Sequence, residues 1–230
     1  MLEAVLFDWG NTLARFEWDD ELLAAGHRAG LAAVGGAAEA GEFTRRFHDE
    51  IRPRLTPDDD YVGILRDELG LSETDAERFL LAEHEVWRPA TALAATAHAL
   101  LESLRGRGLR LAVVANHWPE PAWLVRRDLE ELGIAARVDA IVLAGEVGAR
   151  KPDPAIFEHA LATLGVEAFD AMFVGDRLDA DIRGAGELGM ITVQALWFEA
   201  DEPSGGIEPD FMAFTPMDVL GAVRRVAVHS

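Results

Sequence analysis

Residues 171–190 read AMFVGDRLDADIRGAGELGM, and this stretch decides the fold. Residues 171–174 are a short apolar run closed by Gly175-Asp176, the mark of a strand buried on both faces. Residues 179–188 follow at helical spacing and Gly189 stops them. Residues 191–196 then form a second apolar strand. Two strands joined through a helix belong to a parallel sheet, because antiparallel neighbours need only a tight turn. The alternation continues toward the N-terminus. It gives a helix at 154–164, with Pro154 near its start and Gly165 after its end, a strand at 140–143 and a helix at 121–132 ended by Gly133. Before these come a strand at 109–115 and a helix at 94–105 stopped by Gly108. Residues 3–7 form a first strand ending at Asp8, while 211–213 predict a short edge strand and 217–226 a last helix. The pattern predicts an α/β fold, a parallel sheet with helices on both faces.

Residues 16–88 break the alternation. Leu22, Leu23, His27, Leu31 and Val34 repeat at helical spacing. Residues 42–51 predict a second helix ended by Pro53, 58–69 a third stopped by Gly70, and Ser72 with Asp75 opens a fourth that reaches Trp87. No strand alternation is visible there. The chain therefore divides into a core, residues 1–15 and 89–230, and an all-helical insert, residues 16–88. Residues 199–209, rich in Pro, Gly and acids, predict a surface loop.

A length of 230 residues suits one domain with an inserted subdomain. Acidic residues number 41 against 21 basic ones, a net charge of -20. Nucleic acids and anionic membranes require basic patches, so neither is an expected partner. The chain has no cysteine, which excludes disulfides, thiolate catalysis and cysteine-bound zinc. No apolar run approaches the ~18–20 residues of a membrane span, and no signal peptide is visible. These features lead us to expect a soluble cytoplasmic protein. They leave its oligomeric state open.

Ligands of an open α/β sheet bind beyond the carboxyl ends of its strands. Asp8 ends the first strand, Asn116-His117 follow the strand at 109–115, and Gly175-Asp176 follow the strand at 171–174, with Asp181 five residues on. Lys151 precedes the helix at 154–164. It is the one lysine of the chain, the other 20 basic residues being arginine. A site that needs a compact ammonium does not accept a planar guanidinium. Lys151 is therefore a candidate site residue, with chance survival as the alternative on composition alone. Carboxylates converging on one sheet edge repel one another, and a hard divalent cation such as Mg²⁺ relieves that repulsion. A lysine beside them neutralises a carboxylate and the charge of a phosphate.

The same residues carry a family resemblance. Asp8-Trp9-Gly10-Asn11-Thr12-Leu13 resembles the first motif of the haloacid dehalogenase-like hydrolase superfamily, and Val113-Val114-Ala115-Asn116 its second. Arg150-Lys151-Pro152-Asp153-Pro154 is similar to the third, and Val174-Gly175-Asp176 through Asp181 to Gly189-Met190 to the fourth. The resemblance covers nearly the whole chain. It implies a Rossmann-like core with a helical cap inserted after the first motif, and a Mg²⁺-dependent phosphohydrolase acting on a small phosphorylated metabolite. By the same resemblance, Asp8 would be the nucleophile that becomes an aspartyl-phosphate. Mg²⁺ would be held by Asp8, the Gly10 carbonyl and Asp176, with Asp181 supporting its waters or pairing with Lys151. Lys151, Thr12 and the backbone around Asn116 would bind phosphate oxygens. Trp9 and His117 are candidate substrate contacts by their place beside these motifs, not by the resemblance.

Two positions depart from the family's pattern. Phosphatases of this type usually carry a second aspartate where this chain has Gly10. It protonates the leaving group and later activates water, roughly a 10²–10⁴-fold effect. Ala115 stands where Ser or Thr usually binds phosphate, a hydrogen bond of about 1.5–3 kcal/mol. His117 is a candidate replacement acid or base, or else a loop or substrate-contact residue. Asp58, Asp59 and Asp60 are either a solvated helix start or groups that reach the site from the cap. Trp9, Trp18 and Trp87 line a pocket or pack in the core. The alternatives are a weakly catalytic or non-catalytic binding member of the superfamily, and a 2-haloacid dehalogenase. Phosphonate cleavage through a Schiff base needs a cap lysine, which the chain lacks.

Overall fold

The computed structural model describes residues 1–17, 19–36, 39–54, 60–117, 121–198 and 206–229. Trp18, Asp58, Asp59 and most of the 199–209 loop lie outside these. The chain forms two compact units. One comprises Met1–Arg15, Leu93–His117 and Arg126–Ser230, the other Phe16–Ala92 and Trp118–Val125.

The first unit is built on a six-stranded parallel sheet. In chain order its strands are β1 (Ala4–Phe7), β4 (Arg110–Ala115), β5 (Ala140–Leu143), β6 (Ala171–Gly175), β7 (Ile191–Ala195) and β8 (Phe211–Ala213), and in space they run β5-β4-β1-β6-β7-β8. This is the doubly wound Rossmann order, in which the winding reverses between the first and fourth strands. Here that crevice falls between β1 and β6. Every residue of β1 is buried, so both faces of the sheet are covered. Ala4 and Leu6 join Ala112, Val114, Ala171 and Phe173 on the face covered by α8 (Pro154–Leu164). That helix starts where the Asp153 carboxylate accepts from Ala155 N at 2.9 Å. It buries Ile156, Phe157, Ala160, Leu161 and Leu164, and burying each large apolar side chain is worth about 1.5–3 kcal/mol. β4 also packs on α5 (Ala97–Arg105), whose Leu100, Leu101 and Leu104 are fully buried. This part also holds α7 (Ala144–Val147), α9 (Gly184–Glu187), α10 (Val219–His229) and all but the first turn of α6 (Ala122–Glu131), whose start belongs to the second unit.

The second unit holds α1 (Asp20–Ala33), α2 (Ala40–Arg46), α3 (Tyr61–Leu69) and α4 (Glu73–Trp87). Asp19, Asp60 and Ser72 cap α1, α3 and α4 through their side chains. α1 and α4 approach closely. A Cβ on Gly26 would lie 2.1 Å from Trp87 Nε1, and one on Gly30 would lie 2.8 Å from the Phe79 ring, so only glycine fits either position. His27 is fully buried here, its ring edge-on to Phe43 and Phe47. Its Nδ1 lies 3.0 Å from Thr44 Oγ1 and its Nε2 lies 3.6 Å from Glu83 Oε1. Burial, helped by the His48 charge, pushes the imidazole down to about 4, so it is neutral. No described helix is long and apolar enough to cross a membrane.

Several elements differ from the sequence expectation. The chain crosses between the units on β2 (Ala14–Phe16) and β3 (Thr91–Leu93), which pair as a two-stranded sheet. These strands are three residues each, too short to show alternation. They run in opposite directions, since Ala94 N bonds to Leu13 O at 2.8 Å and Glu17 N to Ala90 O at 3.1 Å. The helix expected at 94–105 accordingly starts at Ala97. The helix expected at 42–51 is α2, which widens into a π turn at Phe47–Ile51 and tightens into a 3₁₀ turn at Arg52–Arg54. The helix expected at 58–69 starts at Tyr61, and the one expected at 217–226 starts at Val219 after a 3₁₀ turn capped by Thr215 and Asp218. The helix expected at 179–188 is a π turn, Leu178–Arg183, followed by the short α9. Its cause is local. The Arg177 carbonyl accepts from both Asp181 N (2.9 Å) and Ile182 N (3.2 Å), while Arg177 N donates to the Asp181 carboxylate at 3.0 Å. Such bulges recur at functional sites.

Candidate active site

The site assembles at the carboxyl ends of β1 and β6, in the crevice where the winding reverses. Asp8 is the first residue past β1, its N–H still bonded to the Val174 carbonyl at 2.9 Å. Asp176 is the first residue past β6. The π turn after β6 brings Asp181 back over the strand end. A Cβ on Gly175 would lie 2.4 Å from Asp181 Oδ2, so the carboxylate occupies the space a side chain would fill. One oxygen from each of Asp8, Asp176 and Asp181 lies within 4.8 Å of the others, and all three residues are buried.

Lys151 enters from the loop between α7 and α8. Its Nζ is 2.5 Å from Asp8 Oδ1 and 2.7 Å from Asp181 Oδ1, and its side chain is 1% exposed. The ammonium also stands 5.2 Å from the centre of the Phe173 ring, which packs edge-on against Phe157 of α8. Burial alone would lower the lysine, but the Asp181 and Asp8 charges outweigh it and hold its pKa above the ordinary value. Burial pushes Asp8 up to about 6, against the pull of Lys151 and with the push of Asp181. Burial pushes Asp176 further, to about 8, helped by the charges of Asp8 and Asp181.

Three carboxylates facing one ammonium leave excess negative charge when all are ionised. The donor set is entirely hard oxygen, and protons occupy Asp8 and Asp176 more readily than they occupy free carboxylates. Both properties fit a divalent cation of the Mg²⁺ type.

The other expected residues fall around this centre. Thr12 is fully buried and its hydroxyl faces Asp176 Oδ1 at 3.4 Å. A Cβ on Gly10 would meet nothing within 4 Å. Asn116 bonds to the main chain of Lys151, with Nδ2 donating to its carbonyl at 2.7 Å and Oδ1 accepting from its N–H at 2.8 Å. His117 Nε2 accepts from Gly145 N at 2.9 Å, at the start of α7, so the imidazole carries its proton on Nδ1. Trp9 is 4% exposed, and Trp87 is packed against α1 in the second unit. Ala115 is buried at the end of β4.

Two further residues support the site and were missed in the sequence. Gln194, on β7, donates to the Asp176 carbonyl at 3.3 Å, and Trp197 Nε1 donates to the Thr12 carbonyl at 2.8 Å. A polar glutamine inside an apolar strand was a visible signal for the first. Nothing in the sequence distinguished Trp197 from the other tryptophans.

Residues 2–189 match a family model described as haloacid dehalogenase-like hydrolase. A glyceraldehyde 3-phosphate phosphatase of Methanopyrus kandleri is 38% identical over 130 residues, 55% of this chain and 54% of that protein. A phosphoserine phosphatase of Thermus thermophilus is 36% identical over 130 residues, 56% of this chain and 48% of that protein. The alignments thus span about half the length of these curated relatives. Among solved structures, a HAD phosphatase from Thermococcus onnurineus superposes with a TM-score of 0.68 at 24% identity, covering 96% of this chain and 98% of that one. A 2-haloacid dehalogenase from Pseudomonas syringae gives 0.62 at 22%, covering 98% and 99%. At these identities the structural likeness concerns the fold.

Proposed function

The chain belongs to the haloacid dehalogenase-like hydrolases, and on that premise we propose that it is a Mg²⁺-dependent phosphohydrolase of a small phosphorylated metabolite. The observation that carries this reading is the buried Lys151 bonded to both Asp8 and Asp181 beside Asp176. Phosphoryl transfer is mostly positioning and charge stabilisation, and this arrangement supplies both. An Asp8 carboxylate oxygen attacks phosphorus, the bond to the leaving oxygen breaks, and an aspartyl-phosphate forms. Water then attacks that phosphorus and frees Asp8 and inorganic phosphate. Lys151 holds Asp8 in place and offsets charge on the phosphoryl oxygens, while Thr12 offers its hydroxyl to them. Asp8, Asp176 and the Gly10 carbonyl would hold Mg²⁺, with Asp181 supporting it, and the cation would supply further charge stabilisation at the same oxygens. With glycine at position 10, leaving groups that need a proton depart slowly, so acyl and aryl phosphates turn over faster than alkyl ones.

The relatives' names supply the first substrates to test: glyceraldehyde 3-phosphate and phosphoserine. These join acetyl phosphate and p-nitrophenyl phosphate in a panel measured with and without Mg²⁺, with Asp8→Asn as control. Phosphate release that needs both Mg²⁺ and Asp8 is the expected result. Gly10 and Ala115 favour a second reading, ligand binding with little catalysis. Release from no compound while Mg²⁺ still binds would select it, and chloride release from a 2-haloacid would replace both.

A further inference from the structure

Lys151 sits in a loop, yet its ammonium is held within 2.5 and 2.7 Å of two carboxylates. A four-carbon side chain on an unconstrained loop would lose that geometry to conformational entropy. The constraint comes from the neighbouring strand. Asn116 is the first residue past β4, and its amide spans the Lys151 main chain at 2.7 Å on the carbonyl and 2.8 Å on the N–H. A side-chain amide offers a donor and an acceptor side by side, as a peptide unit does. Asn116 therefore pairs with the lysine's backbone as another strand would, and satisfies two main-chain groups that nothing regular in the loop would pair.

We propose that Asn116 is the positioning residue of the active-site lysine, tying the Lys151 loop to the sheet that carries Asp8. This rests on the reading of Lys151 as the cation of a phosphoryl-transfer site. It stands beside the phosphate contact that the family resemblance implies here, which falls to the backbone around Asn116, while the side-chain amide is directed at the protein. Aspartate keeps the shape but has no donor, and glutamine is one methylene too long. Asparagine alone meets both requirements.

Because Lys151 is the one lysine, ¹⁵N-lysine labelling yields one lysine backbone amide signal, and its hydrogen exchange reads the strap directly. The expected results for Asn116→Ala are exchange at least tenfold faster at that amide, a kcat lower by about 10–100-fold and a KM changed less than threefold. Asn116→Asp, which keeps the acceptor, should retain the amide's protection and still lose kcat. It also covers the case in which the alanine variant does not fold. Unchanged exchange in Asn116→Ala, or faster exchange with unchanged kcat, overturns the proposal. A raised KM with unchanged kcat returns Asn116 to phosphate binding. If the wild type shows no Asp8-dependent activity, the phosphohydrolase reading fails separately, and the exchange measurement decides the strap by itself.

Discussion

Replacing Lys151 with arginine keeps the charge and changes only its shape, so it isolates what the geometry contributes. The ammonium makes two contacts of 2.5 and 2.7 Å with Asp8 and Asp181 and is sealed from solvent. The Phe173 ring lies 5.2 Å from it. A guanidinium is planar and its charge is spread around a central carbon, so it cannot occupy this point between two carboxylates. The hydrogen bond to Asp8 and the ion pair with Asp181, contacts between charged groups worth about 1.5–3 kcal/mol each, are therefore lost or badly bent. Their sum is roughly 3–6 kcal/mol, and at 1.36 kcal/mol per decade this is about 10²–10⁴ in rate. The retained positive charge still attracts the phosphoryl oxygens, so Lys151→Arg should lie near the lower end, about 10²-fold down in kcat. The assay is Mg²⁺-saturated hydrolysis of p-nitrophenyl phosphate, with thermal melting to show that the variant is folded. Lys151→Met adds a second reading. Lys151 pulls Asp8 down from where burial would place it, so its removal should move the acidic limb of the pH profile to higher pH. A folded Lys151→Arg variant with kcat within threefold of wild type would falsify the assignment of this lysine to the chemistry.

Gly10→Asp should raise kcat on alkyl phosphates by 10-fold or more and leave p-nitrophenyl phosphate nearly unchanged, because the space at Gly10 is open and a carboxyl there would protonate the poor leaving group. An equal change on both substrates would show that leaving-group protonation is not the limitation. Asp176 titrates near 8 in the folded protein against 3.8 ordinarily, so the fold retains a proton that the unfolded chain gives up across that window, and stability falls as pH rises through it. Mg²⁺ competes with that proton, so the Tm gain on adding Mg²⁺ should be larger at pH 8.5 than at pH 6, and Asp176→Asn should flatten the difference. An equal gain at both pH values counts against a cation site on this carboxylate. His27 stays neutral down to about 4, whereas the unfolded chain takes up a proton near 6.5. Stability is therefore lost on acidification through that window, by about 3 kcal/mol. Urea melts at pH 7.5 and pH 4.5 should show that part of the loss absent in His27→Leu. An identical loss in both proteins would mean that the imidazole is not held neutral.

The core was legible because each of its strands is a compact apolar run closed by a turn signal. Residues 140–143 and 211–213 are strands as read, and residues 154–164 are a helix as read. Asp8 and Asp176 were legible as site candidates because each directly follows a buried apolar strand, Asp181 because it lies five residues on, Lys151 because it is the one lysine, and Thr12 only through the family resemblance. What the sequence hid was whatever depends on a distant partner. The π turn at 178–183 is the exception, a local departure in which Asp181 folds back onto Gly175 where residue spacing shows only a helix. The family resemblance spoke only for the backbone around Asn116, and the partners of its side-chain amide lie 35 residues away. The ribbon of β2 and β3 was invisible because each strand is completed by the other, 75 or more residues along the chain.

That ribbon makes the inserted helices a replaceable module. Glu17 and Ala90 are already joined by a 3.1 Å hydrogen bond, so the insert begins and ends at one point of the backbone. Joining Phe16 to Thr91 through a two-residue Asn-Gly turn would close the pair into an ordinary hairpin. Such a graft leaves the Asp8 loop and every strand of the sheet uncut. A lineage, or an engineer, can therefore exchange this module for another without recutting the strands that carry Asp8 and Asp176.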